Sequence, residues 1–253
     1  MKKKFLLLST VFLILGLTKS YGGWYQCYNY EGKIGEYPIT LSIQITEGYF
    51  GEEDKKEFTI NGVYKYDKYN NPIKLIGSLK NNRIKLYENY NDKESAILEF
   101  EFLEKISKGY WTDLKSKKTL PLNLTYVSKL TDKSEDASFE NVEILQLHSL
   151  KDYYFIGVYS KEQDANRVYM SKLKIIKKRD NSIFQMIDFN DLDYSVGNVI
   201  TIIYQNIEIN DLVNNKLDLW CDVGRMGGWF TLSFSNEKNK FSSNYELNID
   251  GPN

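Results

Sequence analysis

Few residues in this chain have the type and spacing to do chemistry. Histidine occurs once, at position 148. It sits in Leu145-Gln146-Leu147-His148-Ser149-Leu150, where apolar side chains flank it, so it reads as a core or edge histidine and not as a general base. No Gly-x-Ser-x-Gly elbow is present to activate a serine. The glycine-rich stretch 224–228 lies between strand-like segments and opens no helix, so a phosphate-cradling loop fails its context. With 34 Asp and Glu, dense acid groups are unavoidable, and Glu52-Glu53-Asp54 and Glu99 with Glu101 are the densest early ones. Glu99 and Glu101 would share one strand face while Leu98, Phe100 and Phe102 take the other. That is the pattern of a solvated face, not of a glycosidase pair.

Metal loops fail on detail. Asp188-Phe189-Asn190-Asp191-Leu192-Asp193 puts Leu192 where a calcium loop needs its third ligand and Asp193 where it needs glycine. The stretch from Asp211 through Asn214, Asn215 and Asp218 is one residue short of such a loop and also lacks the glycine. A zinc site would need more ligands than one histidine and two cysteines supply. No catalytic group, no metal and no cofactor is expected.

The two cysteines, Cys27 and Cys221, read as one disulfide in an exported chain. It would close nearly the whole mature chain, a constraint worth about 4–5 kcal/mol in the chain-entropy account. The alternative is two separate buried thiols. Export is read from residues 1–22. Lys2, Lys3 and Lys4 precede an apolar run from Phe5 to Leu17, and small residues at Ser20 and Gly22 mark a cut. This is the pattern of a secretory signal peptide, and the run is too short to span a bilayer. The mature protein is therefore expected to be periplasmic or secreted and not an integral membrane protein. Removal of 1–22 leaves 29 basic residues against 34 acidic ones, a net charge near −5. Nucleic acid is not an expected partner, because phosphate neutralisation needs clustered positive charge.

The elements that must position any site are strands. The hydrophobic period is two almost everywhere, as in Ile39-Thr40-Leu41-Ser42-Ile43-Gln44-Ile45. Phe58-Thr59-Ile60 and Val63-Tyr64-Lys65-Tyr66 flank Asn61-Gly62, the dipeptide most suggestive of a hairpin turn. Ile73–Leu79 and Arg83–Tyr87 pair across Lys80-Asn81-Asn82, and strands follow at 97–103, 109–111 and 120–127. In the second half, 142–147, 153–159, 168–176 and the β-branched run 199–209 read as strands, and 218–222 with 228–234 as a closing hairpin. Gly62-Val63-Tyr64 and Gly157-Val158-Tyr159 hint faintly at duplication. The expectation is an all-β protein, an antiparallel barrel or sandwich, in two β modules. These are an N-terminal domain over 23–128, a charged linker or surface loop over 129–141 and a C-terminal domain over 142–253.

Asn61-Gly62-Val63-Tyr64, placed at a hairpin in an exported β protein, resembles the Ser-Gly-x-Tyr loop of bacterial periplasmic lysozyme inhibitors. The run from Ile200 through Asp218-Leu219 to Phe234 is similar to strand-and-loop patterns of secreted inhibitor and immunity proteins. The resemblance implies a β protein whose loop enters the cleft of a lysozyme-like or other peptidoglycan hydrolase. Gly62 would allow close backbone approach and Tyr64 would fill the cleft. Asn61 stands where that family has serine. The partner expected from it is a protein, for which Tyr64, Tyr66, Tyr69, Tyr87, Tyr90 and Trp111 are candidate anchors. The rival expectation is a carbohydrate- or peptidoglycan-binding envelope module. Clustering of Trp111 with several tyrosines on one open face would favour it.

Overall fold

The computed structural model describes residues 25–46, 57–90, 93–103, 105–132, 138–162, 168–190, 192, 195–197, 201–223 and 226–243. The signal-peptide reading of 1–22, the acidic run Glu52-Glu53-Asp54, Asp191, Asp193 and the Gly224-Arg225 turn lie outside those residues. Among the described residues the chain is all-β, with no helix and 73% of those residues in strands.

Eight strands form a closed antiparallel barrel in sequence order. They are β1 (Tyr25–Ile34), β2 (Tyr37–Thr46), β3 (Glu57–Tyr66), β4 (Ile73–Lys80), β5 (Arg83–Tyr90), β6 (Lys93–Glu101), β7 (Ile106–Asp113) and β8 (Thr119–Thr131). β8 returns to pair with β1, which leaves no open edge. The period-two pattern explains the filling. Ile39, Leu41 and Ile43 of β2, Ile84 and Leu86 of β5, Leu98 and Phe100 of β6, and Leu122 and Leu124 of β8 form one buried cluster inside the barrel. Turn chemistry sets the register. Asn81 and Asn82 (φ 50° and 60°) join β4 to β5, and Gly35 (φ 58°) turns β1 into β2.

Two four-stranded sheets follow. The first runs β12-β11-β10-β9, from β9 (Phe139–Ser149), β10 (Tyr153–Lys161), β11 (Tyr169–Lys177) and β12 (Ile183–Asp188). The second runs β13-β14-β15-β16, from β13 (Ile207–Asp211), β14 (Lys216–Val223), β15 (Met226–Ser235) and β16 (Lys240–Ser243). The two halves share a core. Tyr25, Cys27, Val63 and Leu130 of the barrel join Phe155, Tyr159, Leu173, Ile202, Leu219 and Cys221 in a single buried cluster.

Several expectations are corrected. Asn61-Gly62 is not a turn, because β3 runs straight through it. Gly62 pairs with Ile43 on one side and Leu75 on the other. A Cβ on Gly62 would come within 3.2 Å of the Ile43 side chain and 3.3 Å of Leu75 Cβ, so the glycine serves close packing between strands. Gly62, Val63 and Tyr64 are buried, and only Asn61 is partly exposed. The expected linker shortens, since residues 129–131 pair with β1 and Phe139 already belongs to β9. Of the β-branched run 199–209, residues 201–209 are described, and among them strand begins only at Ile207. Ile202 and Ile203 are buried in a turn that plugs the seam between the halves. Strands β1, β12 and β16 were not expected at all. Finally, Cys27 and Cys221 are not bonded to each other; both are buried thiols within the shared core. Burial raises the Cys27 thiol well above its ordinary range, and the Asp132 carboxylate adds to that. The thiol form is therefore favoured.

The seam is held by polar contacts. Tyr204 accepts from the Gly62 amide at 2.9 Å and its hydroxyl reaches the Gly62 carbonyl at 2.7 Å and the Leu75 carbonyl. Leu145 N donates to Ser42 Oγ at 3.2 Å, and Ser42 donates to Asn29 at 2.6 Å. Substitution Tyr204→Phe is expected to cost about 1–3 kcal/mol, read as a lower urea midpoint with unchanged slope. In protein purified without reductant, a thiol reagent is expected to find no reactive cysteine in the native state and two per chain in denaturant. Fewer than two in denaturant would restore the disulfide.

Candidate functional site

The β1–β2, β3–β4 and β7–β8 connections lie at one end of the barrel, and that end is aromatic. Tyr37 opens β2, Tyr66 ends β3, Tyr69 stands in the following loop and Trp111 lies near the end of β7. Together with Leu120 they line an open cavity of about 340 Å³. The Tyr37 and Tyr66 rings meet edge to face, with centroids 6.3 Å apart and an interplanar angle of 87°. Tyr66 in turn meets Tyr64 at 5.4 Å. Tyr37 and Tyr69 are 56% and 59% exposed, so two of the four rings are largely free to meet a ligand. The side chain of Lys68 lies over the Tyr69 ring, Nζ 5.4 Å from its centroid.

The polar rim is built by one turn. Asp113 accepts from the Lys115 amide at 3.0 Å, the Ser116 amide at 2.5 Å and the Ser116 hydroxyl at 2.8 Å. These bonds, that from the Ser116 amide first, hold its carboxyl below the usual carboxylate range. Asp113 is thereby committed to shaping the turn that carries Ser116 and Lys118 to the cavity edge.

Beneath the rings lies Glu88, a buried acid in a mostly apolar interior. It follows Ile84 and Leu86 on the inward face of β5. The Tyr64 hydroxyl and Trp111 Nε1, the latter at 2.5 Å, both donate to Oε1, and Ser95 Oγ donates to Oε2 at 3.1 Å. Among the described residues none of its partners is cationic. Burial, and next the neighbouring Glu88 carboxylate, push the Tyr64 phenol far above its ordinary range, so it stays a donor.

A larger cavity, about 530 Å³, lies at the seam between barrel and β9–β10. Several of its polar lining groups are already spent on the fold. Asn29 bonds Ser128 and Ser42, and buried Lys65 bonds Asp67 and Asn70 while facing the Tyr154 ring at 5.0 Å.

The residues singled out from sequence separate accordingly. Tyr66, Tyr69 and Trp111 gather at the mouth, and Tyr64 lies under it. Tyr87 sits instead in a shallow groove on the barrel's outer wall, near Ile76, with Lys85 over its ring. The side chain of Tyr90 lies outside the described residues. Asn61, Gly62 and Val63 belong to the strand interior and present no tip. Glu99 and Glu101 face outward as expected, Glu99 3.5 Å from Lys85. Asp211 caps the β13–β14 turn through the Val213 and Asn214 amides. Among the described residues no group of three His, Cys, Asp or Glu could hold a metal ion. Tyr37 and Glu88 were missed, although both carried a signal. Tyr37 continues the inward register of Ile39 and Leu41, and Glu88 breaks an apolar strand face.

Comparison with protein-family models, with curated proteins and with solved structures finds no match. The fold and the mouth define the class, a closed eight-stranded barrel with an aromatic opening, fused to two antiparallel sheets.

His148 is half-buried on β9, and its Nδ1 is buried without a hydrogen-bond partner. Burial, and then the charge of Lys74, lower its pKa below the ordinary imidazole range. The unfolded chain therefore takes up the proton first as pH falls. Stability present above the unfolded pKa is lost as pH drops through it toward the folded one. An NMR titration of this single imidazole is expected to show the depressed pKa, and His148→Gln is expected to flatten the fall in urea midpoint between pH 7 and 5.

Proposed function

We propose that this chain is an exported, non-catalytic binding protein that takes a saccharide in the aromatic mouth of its barrel, as a carbohydrate- or peptidoglycan-binding envelope module. The observation that carries the reading is the convergence of Tyr37, Tyr66, Tyr69 and Trp111 on one open cavity. Flat rings offer apolar area to the C–H faces of a sugar, and a few rim groups such as Ser116 and Lys118 suit its hydroxyls. The cavity falls within the range of small-ligand pockets, roughly 300–1,000 Å³. Three of the four rings stand on strands or at their ends, so little ordering is needed on binding. The signal-like residues 1–22 support an envelope location.

The inhibitor reading loses the loop it relied on. Gly62 and Tyr64 would have to leave β3 to enter another protein's cleft, and Tyr64 would have to abandon Glu88. A hydrolase partner would need a different surface.

The test uses residues 23–253. Retention on purified peptidoglycan and fluorescence titration with a soluble muropeptide and an N-acetylglucosamine tetramer are expected to show binding. Trp111→Ala and Tyr66→Ala are each expected to weaken it by about tenfold or more with the fold intact. No retention of any glycan would overturn the proposal. Capture of a muramidase together with loss of its activity in a turbidity assay would replace it with inhibition.

A further inference from the structure

We infer that Glu88 is the positioning residue of the aromatic mouth, its buried carboxyl group holding the Trp111 indole in the orientation that meets a bound saccharide. The ligand half of this inference rests on the saccharide reading above. The contact between Glu88 and Trp111 rests on geometry alone.

An indole has a single donor and no acceptor. One strong bond at Nε1 therefore fixes the ring's rotation within its plane of packing. Trp111 spends that donor on Glu88 Oε1 at 2.5 Å, in a site where Glu88 is only 7% exposed. The same oxygen takes the Tyr64 hydroxyl, and the Tyr64 ring supports Tyr66, the adjoining wall of the cavity. Ser95 holds Oε2 from β6 and so fixes the carboxyl group itself. One side chain on β5 thus ties β3, β6 and β7 together directly under the rings.

The cost of placing it there is informative. An acid on an apolar face must be desolvated, and a residue like Leu86 two positions earlier would fill the space without that penalty. What an aliphatic residue would not supply is orientation. It would leave the Tyr64 hydroxyl and the Trp111 N–H without an acceptor and let the indole turn. Glu88 lies below the rings with both oxygens already accepting, so it acts through Trp111 and not by touching the ligand.

The experiment compares wild-type residues 23–253 with Glu88→Gln, Trp111→Phe and the double substitution. Glutamine keeps the shape, can still accept from Tyr64 and Trp111, and can donate to Ser95, so the fold survives. Phenylalanine keeps a flat ring and removes the N–H. In a ¹⁵N-labelled sample the cross-peak lost in Trp111→Phe identifies the Trp111 indole. It is expected far downfield and slow to exchange in wild type, and shifted upfield in Glu88→Gln, with no ligand present. An unmoved peak overturns the inference. With the muropeptide as probe, Glu88→Gln is expected to lose about tenfold in affinity, the difference between a charged and a neutral acceptor. The double substitution is expected to bind no more weakly than Trp111→Phe alone. Additive losses would mean that Glu88 acts independently of Trp111, which overturns the inference and leaves the saccharide reading standing. A wild type that binds no glycan removes that reading, and the indole shift alone then decides whether Glu88 positions Trp111.

Discussion

β1 is paired with β2 along one side and with β8 along the other, and the second pairing closes the barrel. Closure has three consequences. It abolishes the exposed edges that a long meander would otherwise offer to aggregation. It creates an inside, which the alternating aliphatic residues fill. It also leaves strands β1 and β8 side by side with Cys27 and Leu130 directed outward, and those side chains seed the core shared with the second half. The two halves therefore share one buried core. The outer wall of the first is the inner wall of the second.

An eight-stranded barrel has an interior just wide enough for side chains to fill or to hold one small ligand. Here filling wins through the middle, where Ile43, Leu75, Leu86 and Leu98 meet. It fails at the end that carries the β1–β2, β3–β4 and β7–β8 connections, where aromatic rings replace branched aliphatics and the polar group Glu88 enters. Rings at strand ends cannot interdigitate as Ile and Leu do, so an open cavity remains. The same end concentrates donors from Tyr64, Trp111 and Ser95, which offset the desolvation of an acid that could not be accommodated deeper.

Much of this architecture was legible in the residues. Alternation at 39–45, 73–79 and 97–103 identified strands, and Lys80-Asn81-Asn82 identified a turn, because those signals are local. Asn61-Gly62 misled for the opposite reason. Its local preference for a turn is outweighed by pairing on both sides and by the close approach of Ile43 and Leu75. The run 199–209 misled similarly, since Ile202 and Ile203 are apolar to plug a seam and not to line a strand. The disulfide expectation came from location and an even count, and neither fixes geometry. Of the site, Trp111, Tyr66 and Tyr69 were visible as aromatic surplus, but their convergence depends on barrel closure, which no local pattern encodes.

The second half also bears on the mouth. Tyr69 stands in the loop from Asp67 to Pro72, and that loop is tied down at several points. Asp67 N donates to the Pro38 carbonyl at 3.0 Å, and Thr40 donates to the Asp67 carboxylate at 2.8 Å. Asn70, in the left-handed region at φ 56°, accepts from buried Lys65 and donates to the Lys178 carbonyl at 2.9 Å. Lys178 belongs to the turn after β11, and Tyr154 of β10 faces the Lys65 ammonium. The loop that carries Tyr69 is therefore held both by β2 and by contacts from the second half. The barrel strands supply Tyr37, Tyr66 and Trp111, while the loop of the fourth ring is also tied to a sheet that contributes no residue to the cavity lining. The shared core thus does more than add stability, because it sets the shape of an opening at the far end of a neighbouring loop.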